Sequence, residues 1–159
     1  MILNRQRTVR VARRPLELFL RRVRQALGLG SADLTVCFVS DAEIARMNET
    51  FRGKKGPTDV LSFPASEDHR TGPSRRLRQN RASGGNPGAR SRSNKYLGDV
   101  AISPAVARRN AKRFGRTLPN ELRVLILHGT LHLLGYDHEA DSGQMDRLEQ
   151  RLRQRFRLA

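Results

Sequence analysis

Leu16, Leu20, Val23 and Leu27 recur at helical spacing behind Pro15, and Gly28 and Gly30 close the element, so this stretch predicts an amphipathic helix with Pro15 as its first residue. The pattern then changes. Leu34 to Val39 is a short apolar run with the composition of a strand. Ser40-Asp41-Ala42-Glu43 has the form of a capping box, and Ile44, Met47 and Phe51 make one apolar stripe behind it. Val60 to Phe63 predicts a second short strand that stops at Pro64, and Leu97 to Ile102 a third. Ser103 and Pro104 pair as N-cap and first-turn residue of a helix running to about Phe114. Thr117 precedes a longer helix whose Leu118, Leu122, Leu125, Ile126 and Leu127 surround much of its circumference, as in a helix at the centre of a fold. Met145, Leu148, Leu152 and Phe156 stripe a final basic helix. The first residues, MILNRQRTVRVARR, are arginine-rich like a transit peptide. They lead straight into the first helix and lack a signal peptide's apolar run, so they read as a basic edge strand. Strands and helices interleave without a repeat. The expectation is one α+β domain over residues 1–159, built on a small mixed sheet of about four strands packed with several helices.

One segment breaks the pattern. Ser66 to Lys95 is rich in Arg, Gly, Ser, Asn and Pro, with Leu77 almost its only large apolar residue. Such a composition buries too little surface to offset the entropy of ordering, so the segment reads as a long, mobile, basic insertion. It is either an electrostatic arm for nucleic acid or a tolerated surface loop, and His69 within it reads as solvated.

Charge narrows the function. Thirty-one Lys and Arg against fifteen Asp and Glu leave a formal +16, a self-repulsion that points to an anionic partner. The bases are spread along the chain rather than gathered on one amphipathic face, and most are Arg, which favours RNA or DNA over a membrane surface. No apolar run approaches the roughly 20 residues of a membrane span. The single cysteine, Cys37, excludes an intramolecular disulfide, suits a reducing cytosol, and reads as a buried, inert thiol.

The chemistry is concentrated in HGTLHLLGYDH, His128 to His138. His128 and His132 stand four apart and share one helical face. Gly135 permits the left-handed turn that ends a helix and brings His138 back to the same point. Three imidazoles suit zinc, although nickel or copper would also accept them. Three protein ligands leave a fourth position open, the catalytic arrangement, where bound water ionises near neutral pH. A structural site would instead need a fourth ligand from Asp137, Asp141 or Cys37.

The spacing H-x-x-x-H-x-x-G-x-x-H is the zinc frame of metzincin proteases, which carry Glu immediately after the first His as general base. Here that residue is Gly129. Peptide hydrolysis must protonate an amine leaving group, and glycine has no side chain to do so. Phosphodiester cleavage expels an alkoxide and spreads charge over phosphoryl oxygens, which a metal and an arginine stabilise. The substitution argues against a peptidase and permits a nuclease.

Together with FRGKKGPTDVLSFP (Phe51 to Pro64) and LGDVAIS (Leu97 to Ser103), the block HGTLHLLGYDHE (His128 to Glu139) resembles the bacterial YbeY family of endoribonucleases. The resemblance covers the chain except Ser66 to Lys95, where the family has a short, often acidic link. It implies a four-stranded sheet with helices, and one zinc ion per chain on His128, His132 and His138. It further implies hydrolysis of single-stranded RNA in the cytoplasm, including maturation of the 3′ end of 16S ribosomal RNA and quality control of defective ribosomes. The implied partners are ribosomal RNA and the small ribosomal subunit with its assembly factors, and a non-catalytic, zinc-stabilised ribosome assembly factor is the alternative reading. The family's important arginine falls on Arg52, with the expected role of holding the scissile phosphate beside the metal. The general base stays open among Asp137, Glu139 and zinc-bound hydroxide.

Overall fold

The computed structural model describes residues 1–65, 95–137 and 142–158. Nearly all of the basic 66–95 insertion, with His69 in it, lies outside the described residues, as do His138, Glu139 and Asp141.

Four strands form one mixed sheet: β1 (Ile2–Asn4), β2 (Asp33–Phe38), β3 (Val60–Pro64) and β4 (Tyr96–Ile102). Their order is β1-β2-β4-β3, with β1, β2 and β4 parallel and β3 antiparallel to β4. The expected basic edge strand is therefore present, though only Ile2–Asn4 of the N-terminal stretch pairs. Among the described residues five helices accompany the sheet: α1 (Arg13–Ala26), α2 (Asp41–Arg52), α3 (Pro104–Arg113), α4 (Leu118–Leu133) and α5 (Gln144–Phe156). The class is α+β, as the alternation of patterns implied.

The two faces of the sheet are used unequally. Leu34, Val36, Phe38, Val100 and Ile102 join Leu16, Phe19, Leu20 and Val23 of α1, the apolar residues of α4, and Met145 and Leu152 of α5 in the main core. Removal of this apolar surface from water is the principal stabilising term. The opposite face carries a smaller cluster of Cys37, Val39, Leu61 and Ala101 under Ile44 of α2. Helix α4 is buried along most of its length, which is why its sequence lacks a polar stripe.

Local signals set the helix boundaries. The Ser40, Ser103 and Thr117 hydroxyls accept from backbone N–H groups three residues on, at 3.2, 3.2 and 3.4 Å. Two details depart from the pattern reading. Helix α1 begins at Arg13, so Pro15 is its third residue rather than its first; the N–H that proline lacks still belongs to the unbonded first turn. Phe51, the last member of the α2 stripe, is 54% exposed, with its ring in a T-shaped contact with Phe63.

Candidate metal centre

The position of α4 is set by how closely its backbone approaches the sheet. Gly129 packs on β3 and β4 so tightly that a Cβ there would lie 2.5 Å from Val100 Cγ1, 3.1 Å from Val100 Cγ2 and 3.2 Å from Ser62 Oγ. Ser62 uses the closeness, donating its hydroxyl to the Gly129 carbonyl at 3.1 Å. The start of β3 is fixed in turn by Asp59. One of its carboxylate oxygens accepts from Val60 N at 2.9 Å, and the other from Asn110 Nδ2 of α3 at 3.1 Å. The residue that a peptidase would use as general base is thus replaced by a helix-sheet contact that excludes any side chain.

One residue earlier and three later stand His128 and His132, both half-buried. Their Nε2 atoms are 3.0 Å apart, with ring centroids 4.6 Å apart and planes inclined at 74°. In a tetrahedral site with Zn–N bonds of about 2.0–2.1 Å the nitrogens are separated by about 3.3 Å, so this pair fits two corners around one ion with little adjustment. Among the described residues no third ligand joins them. The chain turns directly afterwards. Gly135 adopts φ +88°, Tyr136 N donates to Leu131 O at 3.2 Å, and Gly135 N to His132 O at 3.0 Å, a Schellman ending that redirects the backbone leading to His138.

On its other side His128 meets a carboxylate. Nδ1 lies 2.9 Å from Oε2 of Glu149 on α5, and Arg153, one turn further along that helix, binds Oε1. Burial would push the Glu149 carboxyl up, but the His128 hydrogen bond, the charge of His128 and Arg153 together outweigh it and hold the group below its ordinary range. Such a carboxylate contributes stability above its unfolded pKa, and that stability is lost as pH falls through the lower folded value.

A family model described as endoribonuclease YbeY matches residues 1–157. The chain belongs to the YbeY family. A relative from Koribacter versatilis, an endoribonuclease YbeY by name, is 37% identical over 158 residues, 99% of this chain and 86% of that protein. One of the same name from Solibacter usitatus is 41% identical over 147 residues, covering 92% and 81%. The solution structure of a Thermotoga maritima protein superposes with a TM-score of 0.55 at 26% identity, covering 95% of this chain and 85% of that one.

Within this YbeY fold the other expected residues take distinct places. Arg52 closes α2, exposed, with no carboxylate of the described residues in ion-pairing reach. Its neighbour Phe51 packs against Phe63 of β3 in a T-shaped contact, with ring centroids 5.1 Å apart. The adjacent Ser62 binds Gly129, so a single strand links the Arg52 loop to the histidine turn. Cys37 is buried in the cluster under α2, on the sheet face away from α4, which removes it as a fourth ligand to the histidines. Burial pushes its thiol up to about 11. Asp137 is exposed just past the Schellman turn. Glu149 was missed by pattern reading, yet a signal existed. It lies four residues after Met145 and three before Leu152, a carboxylate in register with an apolar stripe.

Proposed function

We propose that this chain is a single-strand-specific endoribonuclease that hydrolyses RNA phosphodiesters with one zinc ion on His128, His132 and His138. The observation that carries the reading is the pair of imidazole nitrogens 3.0 Å apart beside a glycine that admits no side chain. When bound, the ion supplies Lewis acidity and lowers the pKa of coordinated water towards neutrality. The chain's own residues do the rest. Helix α4 and its glycine turn hold the ligands, and Arg52 binds a non-bridging phosphate oxygen through its planar guanidinium. Without a carboxylate at position 129 the site cannot shuttle a proton to an amine as metzincins do, whereas the alkoxide leaving group of RNA makes a different demand.

The substrate is ribosomal RNA, in maturation of the 16S 3′ end and in ribosome quality control, with the small subunit and its assembly factors as partners in the cytoplasm. Membership of a family whose relatives are named endoribonuclease supports this, as does the +16 charge. The domain extends through residues 1–159, with the basic 66–95 insertion either an electrostatic arm for phosphates or a tolerated surface loop.

The test incubates wild-type and His128→Ala protein, prepared identically, with end-labelled single-stranded RNA, the same RNA as a duplex, and a peptide panel. Cleavage of single-stranded RNA by the wild type alone supports the proposal. Metal-dependent peptide cleavage would restore the peptidase reading, and RNA binding without cleavage by either preparation would favour the assembly factor.

A further inference from the structure

The metal reading above accounts for one nitrogen of each imidazole and leaves the buried carboxylate behind His128 unexplained. Glu149 is 6% exposed, and a charge at that depth is costly unless it is fully paired. Both of its oxygens are taken, Oε2 by His128 Nδ1 at 2.9 Å and Oε1 by the Arg153 guanidinium. The arrangement is directional. A carboxylate accepts and cannot donate, so the proton of a neutral His128 must sit on Nδ1. That leaves the lone pair on Nε2, the nitrogen facing His132. Free imidazole in water does not hold this tautomer by itself; a partner on the opposite nitrogen selects it.

We propose that Glu149, itself held by Arg153, is a positioning residue for the metal centre: it locks His128 as the Nδ1–H tautomer and aims Nε2 at the ion. The inference rests on the assignment of His128 as a ligand. It adds that α5, which supplies none of the three histidines, determines how tightly the centre binds metal. The two helices α4 and α5 pack through the main core, so the lock is rigid: Met145 and Leu152, one turn either side of Glu149, are both buried there.

Two measurements test it, neither needing catalysis. Nitrogen-15 NMR of histidine-labelled, metal-free wild-type protein at pH 8 should give His128 a protonated Nδ1 and an unprotonated Nε2. A His128 protonated chiefly on Nε2 would overturn the proposal with no variant required. Zinc affinity is then measured by competition with a chromophoric chelator for wild type, Glu149→Gln, Glu149→Leu and His128→Ala. The expected loss for Glu149→Leu is about 10- to 100-fold, the range for partners of metal-bound histidine. Glu149→Gln, which keeps an acceptor and a similar shape, should retain the tautomer and lose less. If Glu149→Leu binds zinc as tightly as wild type while His128→Ala does not, the positioning role is wrong and the ligand assignment stands. If His128→Ala also binds normally, the ligand assignment itself fails.

Discussion

Gly129→Ala is the smallest change that probes why this metal frame lacks its glutamate. At an open helical position the substitution stabilises by about 1 kcal/mol, because alanine restricts the unfolded chain. Here the new methyl would sit 2.5 Å from Val100 Cγ1, about 1 Å inside the usual carbon-carbon separation of about 3.5–4.0 Å. Val100 cannot easily yield. It is fully buried, stiff at χ1, and on β4, which is flanked by β2 and β3. Overpacking of this kind costs about 1–3 kcal/mol, and the close contact places it in the upper part of that range. After the propensity gain, a net destabilisation of about 1–2 kcal/mol is expected, or a fall in Tm of about 2–8 °C for a chain of this size. Urea and thermal unfolding of wild type, Gly129→Ala, Val100→Ala and the double variant would measure it. The double variant should recover at least about 1 kcal/mol relative to additivity, since Val100→Ala removes both clashing methyls. A neutral or stabilising Gly129→Ala, or an additive cycle, would refute the packing explanation.

Three further outcomes are expected. Arg52→Ala should lower RNA cleavage by about 100-fold or more with zinc content and Tm unchanged, because Arg52 is exposed and offset from the core; Arg52→Lys should recover only part, as an ammonium lacks the planar fork. The Cys37 thiol is raised from 9.0 to about 11, so its proton favours the fold below pH 9 and that stability is lost as pH rises through 11. Wild type should therefore lose about 2–3 kcal/mol more than Cys37→Ala between pH 8 and pH 11 in urea titrations, and equal losses would contradict the burial argument. Deleting residues 66–95 should flatten the dependence of log RNA affinity on log salt; an unchanged slope would make the segment a bystander.

The sequence reading succeeded where one local rule sufficed. The Ser40, Ser103 and Thr117 caps, the three strands after α1 and the apolar circumference of α4 are each set by a few adjacent residues, and the structure has them within a residue or two, whereas the N-terminal edge strand is confined to Ile2–Asn4. The approach of His128 to His132 was equally local, a consequence of four-residue spacing on one helix. What was not legible is tertiary. That Gly129 is required by Val100 and Ser62 depends on strands 29 and 67 residues away in the chain. The meaning of Glu149 depends on α5 packing against α4, and a carboxylate inside an apolar stripe marks such a partner only once the facing residue is known. Cys37 could be weighed as a metal ligand until the sheet put it on the opposite face from the histidines.

The central claim is that RNA hydrolysis and the histidine-bound metal are one site. It is tested most directly by stripping the protein of metal, reloading it with measured amounts of zinc, and following cleavage of end-labelled single-stranded ribosomal RNA against zinc bound per chain. The account predicts a rate that rises in proportion to occupancy, levels at one zinc per chain, and stays at background in identically treated His128→Ala. Cleavage that persists in the metal-free protein, or that is equal in the variant, would contradict it.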